Sequence, residues 1–583
     1  MNQRILVLGA LLLGLVGCAH QQTRLQAEDE TEKEKVPEIK TIGDMTTVAN
    51  AESLPVTGVG LVVDLDGTGG GAPPGVYRTM LENQLHKNKV PMEHVKEVLS
   101  SPSTSLVLVT ALIPPGARKD DPLDVEITLP RESRTTSLRG GRLLECPLLN
   151  FENKRNIDKV FAPSTQGGDQ FIPGHKVARA EGQLLVGLGD GDDSGKMRQA
   201  RIWGGGRSLM DRPFYLALNS DQQFGRVAQA VAARINETFH GAFQGDMAAA
   251  RDKFSIALNV PAQYKLNLPR YLRVVRLIPL MEAPAERLPY RKHLAAQLLD
   301  PAHAVTAALR LEALGDESIP ALKHGLTSDH ALVRFCSAEA LAYLNCPSCG
   351  EELARIVKEQ PVLRAFSLTA LASLNEAVSH VELRKLLEDT APETRYGAFR
   401  ALRALDEHEE SIHGEQLDHT FWLHRVAPGS PALVHLSVRN RAEIVLFGDD
   451  ISLIPPFPIL AGDFTITAGR EDDHCTISHI STRTGSRQRQ CSLKLEEVLH
   501  AMAEMGASYP EVVELLHRAD RLQCLSCKVA VDALPQLTTV YDLSKAGTDD
   551  PELLQTPQEV LDAKGDFNAT PTLFDKGNTR LGQ

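Results

Sequence analysis

Apolar and polar positions follow three different rhythms along this chain. From about 41 to 285, short strand-like and helix-like stretches are interleaved. Leu106 to Ile113 is a continuous apolar run, which predicts a strand buried on both faces. Val125, Ile127 and Leu129 alternate with polar residues, as in a half-buried strand, and Phe254, Ile256, Leu258 and Val260 alternate again up to Pro261. Phe224, Val227, Ala228, Val231 and Ile235 keep helical spacing, with Asn219 or Ser220 available as N-cap.

From about 290 to 410 the chain repeats itself. Leu332-Val333-Arg334 leads to Ala340-Leu341 and Leu344. Val362-Leu363-Arg364 leads to Ala370-Leu371 and Leu374. Glu393-Thr394-Arg395 leads to Ala401-Leu402 and Leu405, and an earlier copy ends at Leu314. The copies lie 30, 30 and 31 residues apart, and Pro320, Pro361 and Pro392 recur near their junctions. Such a period predicts a solenoid, in which each helix pair buries its apolar face only against its neighbours. It resembles short HEAT-like repeats. From about 430 to 535 strands return, at Glu443 to Phe447 and Phe464 to Ala468. A helical stripe follows at Leu495, Val498, Leu499, Met502 and Met505, with Gly506 to cap it. Pro510 then opens a second helix with a stripe at Val512, Leu515, Leu516, Ala519 and Leu522, and Cys527, Val529 and Val531 alternate as a closing strand.

The two ends differ from the rest. Met1 to Arg4 is short and basic, and Ile5 to Gly17 is a 13-residue apolar or glycine run. That is too short for a membrane span of about 20 residues but fits the core of a signal peptide. It ends in Leu15-Val16-Gly17-Cys18, similar to the bacterial lipobox, so residues 1–17 are expected to be removed and Cys18 to carry lipid. Three acyl chains would hold the protein firmly, since two signals suffice for stable anchoring. Ala19 after Cys18, by similarity to enteric lipoproteins, favours the outer membrane. Residues 18–40 are polar and read as a tether, and 536–583 as a disordered tail with a short helix around Pro557 to Ala563.

Composition narrows the function. A chain of 583 residues calls for at least two folded units. A net charge of −13 and 5% aromatics argue against a nucleic-acid binder, which would want a basic face and stacking platforms. Gly67-Thr68-Gly69-Gly70-Gly71 lacks the Lys-Ser/Thr ending of a phosphate loop, and Pro73-Pro74 replace the helix start. Asp190, Asp192, Ser194 and Gly195 resemble half a calcium loop, but Arg201 stands where a bidentate Glu is needed, so a solvated acidic loop is expected. Of nine cysteines, eight remain once Cys18 is lipidated. Cys346 and Cys349, and Cys524 and Cys527, have CxxC spacing. They lie in segments assigned to different domains, so local disulfides or free thiols are expected rather than a zinc site. No catalytic constellation is found, and no metal or cofactor is expected; a thiol oxidoreductase using Cys346 and Cys349 is the weakest of three readings.

Several segments carry a resemblance. Val56-Thr57-Gly58-Val59-Gly60-Leu61-Val62-Val63-Asp64-Leu65-Asp66-Gly67-Thr68-Gly69 is followed by Val109-Thr110-Ala111, Pro114-Pro115, Ala117-Arg118 and Asp124-Val125. Then come Ser137-Leu138-Arg139-Gly140-Gly141, Gly182 to Gly187, and Gly205-Gly206-Arg207. In this order they resemble the flagellar basal-body P-ring protein family over roughly 41–280, and Leu495 to Val531 is similar to the family's closing segment. The resemblance implies an α+β P-ring-like fold (41–285 and 430–535), interrupted by an all-α HEAT-like solenoid insertion (290–410), hence a multidomain chain. The two P-ring-like parts are expected to close across the gap, with the repeats projecting. It further implies a non-enzymatic structural subunit of a periplasmic ring around the flagellar rod. Its partners would be further copies of itself, the rod, the outer-membrane ring proteins and, through Cys18, the outer membrane, with no nucleic acid. Gly58, Gly60, Asp66, Gly67, Thr68, Gly69, Arg139, Gly140 and Gly141 are the assembly candidates. Cys524 corresponds to a family cysteine that forms an internal disulfide. Its usual partner position holds no Cys, so Cys475, Cys491 or Cys527 would have to substitute. The alternative function is an envelope scaffold lipoprotein outside the flagellum.

Overall fold

Alternation along Leu54–Val63 sends Val56, Gly58, Gly60 and Val62 to one face and Val59 and Leu61 to the other. In the computed structural model this strand lies in a closed barrel. The structure describes residues 39–87, 92–150, 175–187, 195, 197–239, 246–280, 284–417, 420–438, 441–481, 485–535 and 571–574. Cys18, the acidic loop of 190–194 and the helix expected around 557–563 fall outside them. Six antiparallel strands make the barrel: Leu54–Val63, Ser105–Ile113, Pro122–Thr128, Arg142–Asn150, Lys176–Gln183 and Gln199–Ser208. Pairing of Pro122–Thr128 with Gln199–Ser208 closes it. Ser105–Ile113 is buried on both faces as its composition predicts. Val107, Val109, Ala111 and Ile113 fill the barrel, while Leu106 and Leu108 meet Leu81, Val95 and Leu99 from the helices Val76–Lys87 and Met92–Ser100.

Beside the barrel stands a four-stranded antiparallel sheet of Thr46–Ala49, Phe214–Leu218, Ser255–Leu258 and Ala248–Ala250. The helix Gly225–Thr238 buries Ala228, Val231, Ala232 and Ile235 in the same core. Its N-cap is Phe224 and makes no side-chain cap, so the helix starts later than Asn219 or Ser220 suggested. Asn219 instead donates its amide to the Asp44 carbonyl at 3.1 Å.

Helices Ala304–Leu314, Ala331–Tyr343, Arg364–Ser373 and Pro392–Leu405 follow one another in contact, with Ile319–Gly325, Gly350–Glu359 and Ala377–Leu386 between them in sequence. The recurrent arginine has a recurrent task. Arg334 donates to the carbonyls of Ser328 (3.0 Å) and Asp329 (2.8 Å), Arg364 to Val357 (3.1 Å) and Arg395 to Leu387 (3.1 Å). Arg364 and Arg395 thus satisfy carbonyls at the C-terminal end of the preceding helix, where they lack partners and the helix dipole is negative, and Arg334 satisfies those of the loop between its two helices. The repeated Ala-Leu pairs are fully buried.

The C-terminal region begins ahead of 430, with Gly414–Leu417 as the edge of a mixed five-stranded sheet. Next to it Phe457–Ala461, Phe464–Ala468, His474–Ser481 and Gly485–Ser492 form an antiparallel meander. Helices Leu495–Glu504 and Tyr509–Arg521 close the region. Gly506 turns between them at φ +91°, and Ser508 with Glu511 makes a capping box that the sequence reading missed.

Two buried clusters join these regions. Where the first sheet meets the helices, Arg270 pairs with Glu312 (2.5 Å) and Glu339 (2.6 Å), and the Tyr264 hydroxyl donates to Glu312 at 2.7 Å. Arg270 also lies over the Tyr343 ring at 4.7 Å, and Tyr264 stacks on Tyr343. At the far end Tyr396 donates to Glu443 at 2.7 Å, Arg403 pairs with the same carboxylate, and His435 stacks on Tyr396 at 3.5 Å. One apolar core runs from Ile42 through all the helical repeats to Phe447. The repeats thus do not project. They share a core with the sheets at both ends, because each end carries a charged residue that only the neighbouring region can neutralise. The barrel also touches the C-terminal region, where Trp203 meets Tyr509 edge-on at 6.3 Å.

The segment 571–574, expected to belong to a loose tail, is also part of this core. Thr572–Phe574 forms a short turn with Phe574 fully buried, and the Arg400 guanidinium lies 5.6 Å from its ring centre. The Leu573 N–H donates to the Leu266 carbonyl.

Replacing Arg270 with Met should leave Glu312 and Glu339 buried without a cation and cost about 3–5 kcal/mol of stability. Urea unfolding of the full chain measures this, and a change below about 1 kcal/mol would rule out the clamp, being no more than an exposed pair is worth.

Candidate functional site

The signature residues converge on one end of the barrel. The turn after Leu54–Val63 is held by backbone bonds from Leu65 N–H to Ser103 (3.0 Å), Gly69 N–H to Pro102 (2.8 Å) and Gly71 N–H to Thr104 (3.4 Å). On its other side Thr136 N–H donates to the Thr68 carbonyl at 2.9 Å, and the Thr68 hydroxyl to the Ser137 carbonyl at 2.8 Å. Gly70 N–H donates to the Thr135 hydroxyl at 3.0 Å, and Gly67 N–H to the Leu65 carbonyl at 2.9 Å. The glycine N–H groups that a phosphate would need are therefore engaged within the chain.

The glycines divide into two kinds. Gly58 and Gly60 face the barrel interior. A Cβ on Gly58 would stand 2.4 Å from the Pro147 carbonyl oxygen and 2.9 Å from Cys146 Sγ. One on Gly60 would stand 2.7 Å from Leu143 and 2.9 Å from Val109. Gly69 and Gly141 are equally confined, by the Thr104 carbonyl (2.3 Å) and the Val62 side chain (2.6 Å). These four were read as contacts for a neighbouring subunit, and the structure places them against the chain's own atoms. A six-stranded barrel has little room inside, and inward glycines let its strands approach. Gly67 (φ +71°) and Gly140 (φ +73°) are the second kind, with nothing within 4 Å of a Cβ. With exposed Asp66 they form the outward tips of the two adjacent turns.

Arg139, read as a cation offered to a neighbour, is occupied inside the chain. It pairs with the buried Glu511 of helix Tyr509–Arg521 and lies 3.7 Å from Asp463, which ties the barrel to the C-terminal region.

The cysteines separate as well. Cys475 and Cys491 stand directly opposite on neighbouring strands with their sulfurs 3.4 Å apart. Cys524 and Cys527 join no such pair; Cys524 donates instead toward the Ala519 carbonyl. Burial raises the Cys349 thiol to about 12 and its Sγ donates to the Cys346 carbonyl, so it is a poor thiolate. Among the described residues, one group has metal-ligand spacing, Glu415, Glu496 and His500. It is partly satisfied already, by an ion pair of His500 with Glu415 at 3.0 Å and of Arg425 with Glu496 at 2.9 Å. A cavity of about 40 Å³ beside Arg270 and Arg273 has room for a water or two and no organic ligand.

The electrostatics of the far junction are distinctive. Burial alone would raise Glu443, but Arg403 overrides it and holds the carboxyl down to about 2. Burial pushes His435 down to about 3, and its Nε2 accepts the Ala533 N–H at 3.0 Å, so the ring is neutral in the folded chain. No motif marks these residues in sequence; their roles come from what surrounds them.

Substituting Gly58 by Ala should destabilise the isolated chain by about 1–3 kcal/mol through overpacking, while Gly140→Ala should cost about 1–2 kcal/mol through its left-handed backbone alone. Denaturant unfolding of the monomer is the measurement; an unchanged Gly58→Ala monomer would show that the glycine acts elsewhere than in the barrel. A second expectation concerns acid. Below the ordinary histidine value of 6.5, and down to about 3, the unfolded chain takes up a proton at residue 435 that the folded chain refuses. Glu443 adds the same trend between 4.5 and about 2. Stability should therefore fall as pH falls, by about 1.4 kcal/mol per pH unit for each group in its window. His435→Gln, which keeps an acceptor for Ala533, should flatten the slope between about pH 4 and 6. Equal slopes for both proteins would refute it.

Comparison with known proteins bears on the same residues. The family model described as Flagellar P-ring protein matches residues 41–288, which takes in the barrel and the four-stranded sheet. Flagellar P-ring protein 1 of Cereibacter sphaeroides is 31% identical over 232 residues, 38% of this chain and 54% of that protein. The Flagellar P-ring protein of Escherichia fergusonii is 27% identical over 235 residues, covering 39% and 58%. That of Nitratidesulfovibrio vulgaris is 29% identical over 245 residues, covering 42% and 62%. The matches thus span between about half and three-fifths of each relative's length. Over residues 41–288 this chain is similar to the flagellar P-ring protein family.

Proposed function

We propose that this protein is a non-enzymatic structural subunit of the flagellar basal-body P ring, or of a P-ring-like collar around the rod, in the periplasm. The observation that carries this is the family match across the whole of 41–288, with Gly58 and Gly60 in the barrel interior where the fold needs them. Further copies of the chain are the first partners. The outward tips at Asp66, Gly67 and Gly140, and the exposed rings of Phe224 and Phe254, are the surfaces offered to them. Rod and outer-membrane ring proteins are the others.

The helical block is read as a HEAT-like solenoid inserted into the ring-forming fold. Support comes from the period of 30 and 31 residues and from the arginine that bonds back to the preceding segment in three of the four copies. Cys18 is read as the lipid anchor, holding the collar at the outer membrane and supporting motility from there.

The test is electron microscopy of basal bodies purified from a strain lacking this protein, with swimming measured in soft agar. Collars should be missing and swimming lost, and both should return with the full chain. Intact collars and normal swimming would overturn the reading in favour of an envelope scaffold outside the flagellum.

A further inference from the structure

The meander Phe457–Ser492 ends in an exposed edge strand, held beyond its one neighbour by Arg489 pairing with Glu504 and Ser492 donating to Glu497 of the next helix. Six consecutive residues of Gly485–Ser492, from Gly485 to Gln490, are exposed, and only Cys491 and Ser492 are half-buried. The strand pairs on one side alone, with His474–Ser481, and its far edge is open in the sheet order. An edge strand of this kind frays or accepts a foreign strand unless something fixes it.

We infer that Cys475 and Cys491 form a disulfide that staples this edge strand to its neighbour. The two residues are directly opposed in the antiparallel register. Opposed residues have Cα atoms about 4.5–5.5 Å apart, within the span a disulfide bridges. Their sulfurs already touch at 3.4 Å, with Cys475 buried and Cys491 reachable from solvent. Either sulfur can donate to the other, and Cys491, half-exposed and two residues from Arg489, is the thiol an oxidant can reach and the one drawn below its ordinary value. Cys491 is therefore the sulfur that reacts first.

The chemistry is thiol–disulfide exchange with a disulfide-bearing oxidant. The Cys491 thiolate attacks one sulfur of the oxidant's disulfide and expels the other as a thiolate. Cys475 then loses its proton, attacks the Cys491 sulfur of the mixed disulfide and releases the oxidant's second sulfur. Two electrons and two protons leave the chain, and the oxidant departs as a dithiol. The supply of that oxidant in the cell rests on the reading of the chain as exported; the competence of the pair does not. The pair also differs from the family correspondence noted at Cys524, because Cys524 stands with no sulfur opposite it.

The test uses the full mature chain in two arms. In the first, reduced purified protein is equilibrated in a glutathione redox buffer, quenched, unfolded and alkylated. The number of alkylated thiols should fall from the eight described cysteines to six, with a linked peptide joining Cys475 and Cys491 by mass spectrometry. Cys491→Ser, at the half-exposed position, should show seven thiols with or without oxidant, and trypsin should cut it faster at Arg487 and Arg489 than the oxidised parent. Eight reactive thiols in every buffer, or a linked peptide joining Cys491 to Cys524 or Cys527, would overturn the inference. In the second arm, protein is alkylated directly in cells. Closure in the redox buffer with open thiols in cells would keep the disulfide site and refute export instead.

Discussion

Two buried carboxylates, Glu312 and Glu443, hold this molecule together as one body. Each is fully buried, and each is met by a tyrosine hydroxyl and an arginine that come from a different part of the chain. Glu312, in a repeat helix, is met by Tyr264 and Arg270 from the segment following the first sheet. Glu443, in the C-terminal sheet, is met by Tyr396 and Arg403 from the last repeat helix. Such pairs add little net stability over an apolar core, because desolvation offsets attraction. Their force is in what they exclude. A repeat block detached from either sheet would leave a bare charge in an apolar seam, so the regions dock in one register.

Much of the fold was legible in the sequence. The strand runs at Leu106 to Ile113, Glu443 to Phe447 and Phe464 to Ala468 are strands here, since runs of that length and composition have few other uses. Gly506 and Pro510 mark the helix boundary that their backbone preferences dictate. The repeat was visible as spacing, and only the structure supplies the reason for its arginine. The docking of the repeats was not legible. Glu312, Glu339 and Glu443 look like any solvated carboxylate until their surroundings are known, and burial is a property of the whole chain. The Ser508–Glu511 capping box was available as a signal in four consecutive residues. Phe574 was not, because one aromatic in a polar tail has no periodicity.

The candidate site was legible as a set of residues but not as a set of roles. The glycine signature maps to the barrel and the turns at one end of it, an architecture its letters did not announce. Four of its glycines turn out to pack against the chain's own atoms, and Arg139 serves the tie to Glu511. What faces outward is smaller than the signature: the tips at Asp66, Gly67 and Gly140. Residues required for a fold and residues offered to a partner share one motif, and a string of letters cannot separate them.

The position of Leu573 and Phe574 has a consequence for biosynthesis. These residues belong to a core whose other members run from Ile42 to Phe447. Leu573 bonds to Leu266 and Phe574 lies beneath Arg400, so this part of the core is covered by residues synthesised after all its other members. A product ending before residue 571 would leave the apolar ground that Phe574 covers beside Arg400 open to water.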